Sequence, residues 1–143
     1  EVEVDIETGA VKILRYVVAH DCGNLINPLI VDGQVQGGVA HGIGNALLEH
    51  LYYDENANPL TTTFSEYLLP TAELVPNVEI LYLESPTPNN PLGVKGAGEG
   101  GTLPAAAVIA AAIDNALSPF GVRFKDVPIR PHQIVAAVNE ATN

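Results

Sequence analysis

One stretch of the sequence combines a carboxylate, a cation and several glycines. Residues 91–104 read Pro-Leu-Gly-Val-Lys-Gly-Ala-Gly-Glu-Gly-Gly-Thr-Leu-Pro, in which Lys95 and Glu99 are the charged groups. Glycines let a backbone approach another molecule closely, and a buried carboxylate can act as a general base if its surroundings adjust its pKa. We therefore predict that Glu99 faces a bound cofactor and acts as a base. The alternative is an acid at a helix N-terminus that complements the helix dipole.

Other familiar arrangements of catalytic or binding residues do not fit the sequence. Residues 96–101 formally match G-x-G-x-x-G, but a dinucleotide site needs a strand that runs directly into the glycines, and prolines intervene here. A P-loop is excluded because Lys95 precedes the glycines. No serine lies in a G-x-S-x-G turn, and the histidines lack the spacing of metal ligands. A nucleotide-binding protein that uses this loop stays as a rival interpretation and predicts NAD binding.

A helix with two different faces is predicted over residues 29–51. Its apolar stripe comprises Val35, Val39, Ile43 and Leu47, and its polar stripe comprises Gln34, Gly38, His41 and Asn45. Interior glycines each cost about 1 kcal/mol relative to Ala, so the four at 37, 38, 42 and 44 indicate that something lies close to this backbone. That neighbour is either a ligand or a helix or sheet packed through small residues. His41 is either a structural histidine or, as a neighbour of Gln34, a hydrogen-bonding group.

The remaining elements predict an α+β fold, with a mixed or antiparallel sheet and two main helices packed on it, in a single domain over residues 1–143. Alternating or β-branched residues predict strands at 2–6, 11–19, 51–53 and 77–84. The Ala-rich residues 105–117 predict a helix that is buried all round, with Thr102 as its N-cap and Pro104 in its first turn. Residues 131–141 predict a last short helix with Ile134, Val135 and Val138 inward. Residues 20–28, considered by themselves, are consistent with an ordinary connection between a strand and a helix.

Composition limits the class of protein. A hydrophobic fraction of 47% and a charged fraction of 16% are typical of a globular chain. The net charge of −11 excludes a basic nucleic-acid surface and would be repelled by an anionic membrane. The single cysteine excludes an internal disulfide framework, and no segment resembles a signal peptide or a membrane span, so we expect a cytoplasmic protein. Because the chain starts in a strand without Met, we expect a piece of something larger.

Three segments occur in a specific order and spacing. They are His-Asp-Cys-Gly-Asn-Leu-Ile-Asn-Pro at 20–28, Gly-Gln-Val-Gln-Gly-Gly-Val-Ala-His-Gly-Ile-Gly at 33–44 and Gly-Val-Lys-Gly-Ala-Gly-Glu at 93–99. With residues 64–72 between them, they resemble the C-terminal part of the molybdenum-binding large subunit of the xanthine dehydrogenase, aldehyde oxidase and carbon monoxide dehydrogenase family. The resemblance covers nearly the whole chain. It departs at His41, where many members have Gln, and in length, since the family's subunit is several times longer.

The resemblance implies a role for each segment. Glu99 corresponds to the active-site glutamate, which takes a proton from a molybdenum-bound hydroxide or water so that the oxygen attacks an electron-poor C–H carbon and hydride passes to a sulfido ligand. The first segment implies contacts with the dinucleotide tail of the cofactor through Asp21, Cys22, Gly23 and Asn27, which favours such a contact for Cys22 over a reactive thiol. Contacts with the rest of the cofactor are implied for Gln34, Gly38, His41, Lys95, Gly96 and Gly98. No protein ligand to the metal is expected, because the pterin dithiolene holds it.

The function implied by the resemblance is oxidative hydroxylation with water as the oxygen source. The substrate would be an aldehyde, a purine or other N-heterocycle, or carbon monoxide. The cofactor would be molybdopterin with Mo, in the cytosine dinucleotide form usual in bacterial members. The partners would be the remainder of the large subunit and the chains or domains that carry 2Fe-2S centres and FAD, so this chain alone should show no turnover. The alternative is a non-catalytic module that packs within such a complex.

Overall fold

A computed structural model describes residues 1–143 and has an α+β fold, as predicted. The strands are β1 (Val2–Val4), β2 (Val11–Ile13), β3 (Tyr16–His20) and β4 (Val78–Tyr82). The helices are α1 (Pro28–Leu47), α2 (Ala105–Ala116) and α3 (Pro131–Thr142), with a short 3-10 helix at Ser118–Phe120. None of these helices is both long and apolar enough to cross a membrane.

The strands form two separate two-stranded sheets. β1 and β2 are antiparallel, with Val2 opposite Ile13, whereas β3 and β4 are parallel, with His20 opposite Tyr82. The prediction of one strand over 11–19 is wrong, because Leu14 donates its amide to the Glu1 carbonyl and the chain then leaves the first sheet for the second. The predicted strand at 51–53 is also wrong, since that region contributes only an isolated bridge between Tyr53 and Pro59.

Helix α1 begins where its local sequence predicts. The Asn27 side chain accepts a hydrogen bond from the Ile30 amide at 3.2 Å, and Pro28 occupies the first helical position, where its missing N–H costs nothing. The helix ends at Leu47, short of the predicted residue 51. The helix therefore starts at the last residue of the 20–28 segment, and its Asp32 accepts a hydrogen bond from Tyr82 at the end of β4.

Two expectations for α2 are wrong. The N-cap is Pro104 and not Thr102, whose amide instead donates to the Glu99 carbonyl in a turn. The helix is not buried all round, because Ala105, Ile109 and Ile113 face the interior while Val108 on the other side is 51% exposed. An all-apolar sequence does not reveal which face packs.

The core lies where the three helices meet β3 and β4. Fifteen buried apolar residues form one cluster, which includes Val35, Val39, Ile43 and Ala46 of α1 and Ile134 and Val138 of α3. The apolar stripe of α1 is thus confirmed, with Leu47 partly buried against the cluster, and so are the inward positions Ile134 and Val138 of α3. Val135 was also predicted inward but is only partly buried and lies outside the cluster. This core packs α1 against α2 and β4, and the loop that carries Glu99 joins β4 to α2.

Candidate functional site

The segment after β3 and the Gly-rich loop are joined by backbone hydrogen bonds. The Lys95 amide donates to the Cys22 carbonyl at 2.7 Å and the Asn24 amide donates to the Gly93 carbonyl at 3.2 Å, around an antiparallel bridge between Gly23 and Val94. Gly23 has φ +70°, and a Cβ there would overlap the Gly93 carbonyl oxygen. Only glycine fits this junction. Two segments that are 70 residues apart in the sequence therefore form one unit at the end of the second sheet.

Asp21 holds this junction together. Its carboxylate accepts the Gly23 amide at 2.8 Å and the Ser85 amide at 3.3 Å, and it pairs with the Lys95 ammonium at 2.9 Å. The Lys95 hydrogen bond and then the Gly23 amide lower the pKa of Asp21 below its usual value, because both favour the charged form. Asp21 and Lys95 are thus brought together as partners of each other, and their predicted contacts with a cofactor stay predictions.

Glu99 lies at the exposed tip of the same loop. Its carbonyl accepts the Thr102 and Leu103 amides at 3.0 and 3.2 Å, which closes a tight turn. Its carboxylate takes part in neither of the two ion pairs of the chain, Arg15–Glu79 and Lys95–Asp21. The first turn of α2 contains no acid, so Glu99 is not the helix-terminal acid of the alternative interpretation. It is also not buried by this chain.

The turn beneath Glu99 is held by contacts on several sides. The Gln34 side-chain amide donates to the Gly98 carbonyl at 2.7 Å. A Cβ on Gly101 would overlap the Val35 carbonyl oxygen, and one on Gly100 would lie 2.6 Å from His20 Nδ1. By contrast, Cβ atoms on Gly96 and Gly98 would meet nothing within 4 Å. The backbone at these two glycines is therefore open to another molecule.

The glycines of α1 divide in the same way. A Cβ on Gly38 would lie 2.9 Å from the Thr102 nitrogen, and one on Gly42 would overlap the side chain of Ala105. Close packing through small residues, the alternative interpretation of this stripe, accounts for both. A Cβ on Gly37 would meet nothing within 4 Å, so this position faces open space. The role of Gly38 in cofactor binding stays a prediction.

The surroundings of His41 differ from those of Gln34. His41 lies two helical turns further along α1, in an open depression of about 340 Å³ that also includes Glu49, His50 and Tyr67. The Tyr67 hydroxyl donates to Glu49 at 2.5 Å, and this hydrogen bond raises the pKa of Tyr67. His41 and the turn that carries Glu99 therefore lie at separate places along the helix.

Asn27 and Cys22 of the first segment are accounted for by capping and by burial within this chain. Asn27 uses its side-chain oxygen to cap α1, and Cys22 is a free thiol that is 5% exposed. Contacts of either with a dinucleotide stay predictions. Near them, the Tyr82 hydroxyl donates to Asp32, and burial followed by this hydrogen bond raises the pKa of Tyr82 to about 12. Sequence reasoning missed this link between β4 and α1, because the two residues belong to different local patterns.

The donor set around the loop fits an organic ligand that approaches the backbone closely. The open backbone of Gly96 and Gly98 precedes Glu99 in the loop. The side-chain amide of Gln34 is hydrogen-bonded to the Gly98 carbonyl. No group of three or more His, Cys, Asp or Glu side chains is placed to hold a metal ion.

Comparisons with known proteins place this arrangement in a family. A family model described as a molybdopterin cofactor-binding domain matches residues 1–76. The chain is 44% identical over 136 residues to the nicotine 6-hydroxylase large subunit of Paenarthrobacter nicotinovorans, which is 95% of this chain and 17% of that protein. It is 32% identical over 139 residues to the carbon monoxide dehydrogenase large chain of Hydrogenophaga pseudoflava, 97% of this chain and 17% of that protein.

A solved structure agrees over almost the whole chain. Quinoline 2-oxidoreductase from Pseudomonas putida 86 superimposes with a TM-score of 0.94 at 42% identity, and the match covers 97% of this chain and 18% of that one. The chain thus spans less than a fifth of the length of the relatives that it matches.

Proposed function

The chain belongs to the molybdopterin cofactor-binding domains of the molybdenum hydroxylase large subunits, and on this premise we propose that it supplies the catalytic base and part of the cofactor site of such an enzyme. The observation that carries the proposal is the state of Glu99. Its carboxylate has no partner within the chain, although the backbone on either side of it is held in place. A general base needs a carboxylate that is both positioned and available.

The residues around Glu99 divide into those that would bind and those that would orient. Gly96 and Gly98 leave the loop backbone open to the pterin part of the cofactor, and Gln34 holds the Gly98 peptide and so the direction of the loop. We assign Gly38 to the same part of the cofactor site through its contact with the loop, and His41, two helical turns beyond Gln34, to a separate contact with the cofactor. When bound, the molybdenum cofactor would supply the two-electron oxidation chemistry. Glu99 would take up the proton that water loses when its oxygen is transferred.

The junction at the end of β3 would hold the other end of the cofactor. Asp21, Cys22, Gly23 and Asn27 belong to the segment that joins β3 to the N-terminus of α1, where the helix dipole favours a negatively charged group such as phosphate. Lys95 adds a positive charge that Asp21 already positions. This supports a dinucleotide form of molybdopterin, for which we propose cytosine as the base. The partners would be the remainder of the large subunit and the subunits that carry 2Fe-2S and FAD.

We propose an N-heteroaromatic compound as the substrate class. The relatives named for nicotine and quinoline are 44% and 42% identical to this chain. The carbon monoxide dehydrogenase chain is only 32% identical. Nicotine and quinoline are therefore the first substrates to test in the complete enzyme, with an aldehyde and carbon monoxide as comparisons.

The base assignment is tested by Glu99→Gln in the complete enzyme. Because the amide cannot accept the proton, kcat should fall by about 10²- to 10⁴-fold while the content of molybdenum and of releasable CMP is unchanged. Glu7→Gln is the matched control, since Glu7 is another exposed carboxylate and lies in the turn between β1 and β2. Full activity of Glu99→Gln would overturn the assignment. A wild-type complex with neither molybdenum nor nucleotide would support the non-catalytic packing module instead.

A further inference from the structure

His20 is a buried histidine to which neither the family resemblance nor the proposed function gives a role. It is the last residue of β3 and is 8% exposed, and its Nε2 atom is buried without a hydrogen-bond partner. Leaving such a nitrogen unpaired is unfavourable for folding. A contribution to folding stability therefore does not explain why a histidine occupies this position.

The imidazole of His20 lies directly against the backbone of the turn that carries Glu99. A Cβ built on Gly100 would overlap the ring at Cε1 and would lie 2.6 Å from Nδ1. Gly100 has no positive φ, so contact with this ring, and not backbone conformation, is what excludes a side chain there. The shape of the ring and the absence of a side chain on Gly100 are complementary.

The backbone of His20 is held in place by the second sheet. The His20 residue pairs with Tyr82 in the parallel sheet, and its carbonyl accepts the Leu83 amide at 2.9 Å. The next residue, Asp21, is tied to Lys95 at the other end of the same loop. Two adjacent residues at the end of β3 therefore support both ends of the Gly-rich loop.

We propose that His20 is a positioning residue that sets the place of the Glu99 carboxylate by supporting the Gly100 backbone. The inference rests on the proposed function of Glu99 as the base. Three other contacts restrain this turn: the Gln34 amide on Gly98, and the packing of Gly101 and Thr102 on α1. His20 is the support on the side of the sheet, so its loss allows the turn to sink toward the gap that it leaves.

The test uses His20→Ala and Gly100→Ala in the complete holoenzyme. His20→Ala removes the support, and Gly100→Ala pushes the turn away from the ring. Each should speed hydrogen exchange of the Thr102 and Leu103 amides, which close the turn on the Glu99 carbonyl. Since a misplacement of about 1 Å in a catalytic group can cost 10²-fold in rate, each should lower kcat for quinoline or nicotine by about 10- to 100-fold with cofactor content unchanged.

The double variant separates positioning from general damage. Because His20→Ala makes room for the new methyl group, the double variant should turn over at least about tenfold faster than Gly100→Ala alone, the non-additivity expected of residues in contact. Val18→Ala is the matched control: Val18 is buried on the same face of β3 but belongs to the apolar core. It should leave the exchange of Thr102 and Leu103 and the value of kcat unchanged.

Each outcome decides the proposal. Exchange and turnover in His20→Ala equal to those in Val18→Ala, or a double variant no faster than Gly100→Ala, would overturn it. If His20→Ala does not assemble, unchanged exchange in Gly100→Ala would overturn it and faster exchange would support it. Full turnover of Glu99→Gln would instead overturn the proposed base, and the exchange pattern would still report whether His20 holds the turn.

Discussion

Asp21, which contacts the first part of the Gly-rich loop through Lys95, and Glu99, which lies further along that loop, have opposite surroundings. Asp21 accepts two backbone amides and pairs with Lys95, which lowers its pKa. Glu99 is exposed, and no side chain of the chain forms an ion pair with it, although its own peptide is held in a turn. Asp21 therefore stabilises the structure of the loop, whereas the loop holds the Glu99 carboxylate at its exposed surface. Glycine content alone does not distinguish these two carboxylates.

The junction at the Asp21 end should be the most sensitive to a change in shape. Gly23→Ala adds a methyl group that overlaps the Gly93 carbonyl oxygen at a positive φ. We expect the free energy of local opening to fall by about 2–4 kcal/mol, from backbone strain and overpacking together. Hydrogen exchange of the Asn24 and Lys95 amides measures this opening.

Gly121→Ala is the control for that variant. Gly121 also has a positive φ of +69°, but a Cβ there would meet nothing within 4 Å. It should cost only the strain, about 1–2 kcal/mol. Equal effects of the two variants would mean that the contact between Gly23 and Gly93 does not hold the loop.

The charge of Asp21 should matter next, and in a pH-dependent way. The pKa of Asp21 is lowered in the folded chain, so its contribution to stability is fully present above the unfolded-state pKa of about 3.9 and is lost as the pH falls through the lower folded-state pKa. Asp21→Asn should therefore reduce stability at neutral pH but not at a pH below both values. Urea unfolding of the complete subunit across this range measures the change.

Glu79→Gln gives the comparison for that experiment. Glu79 also has a lowered pKa, but it accepts hydrogen bonds only from Arg15, and 48% of its side chain is exposed. We expect a smaller loss of stability than for Asp21→Asn, and no change in exchange of the Lys95 amide. A larger loss in Glu79→Gln would contradict the assignment of Asp21 as the residue that builds the loop.

The smallest effect should come from Gln34, which orients the Glu99 end through one hydrogen bond. Gln34→Glu replaces the donor to the Gly98 carbonyl with an acceptor. The loss of one net hydrogen bond, about 1 kcal/mol, corresponds to a decrease in kcat of about fivefold. Gln36→Glu makes the same change at an exposed neighbour on α1 that forms no such bond, and its turnover should match the wild type.

Local patterns in the sequence predicted much of the architecture. The start of α1 was predictable because Asn27 and Pro28 act within one turn, and the inward positions of α3 followed from helical periodicity. The break between β2 and β3 was not predictable, since it depends on the Glu1 carbonyl and on pairing with a strand some 60 residues later. The predicted cap at Thr102 failed because its amide bonds to Glu99 before the helix begins.

The resemblance of the three segments predicted the family from the sequence, and the match of residues 1–76 to the family model confirms it. The sequence left two interpretations open for Glu99 and for the glycines of α1. Only the tertiary structure decided that Gly38 and Gly100 meet the chain itself, that Gly96 and Gly98 are open, and that Glu99 is not a helix cap. A motif specifies residue types over a few positions, whereas the space around a side chain depends on which distant segments of the chain pack beside it.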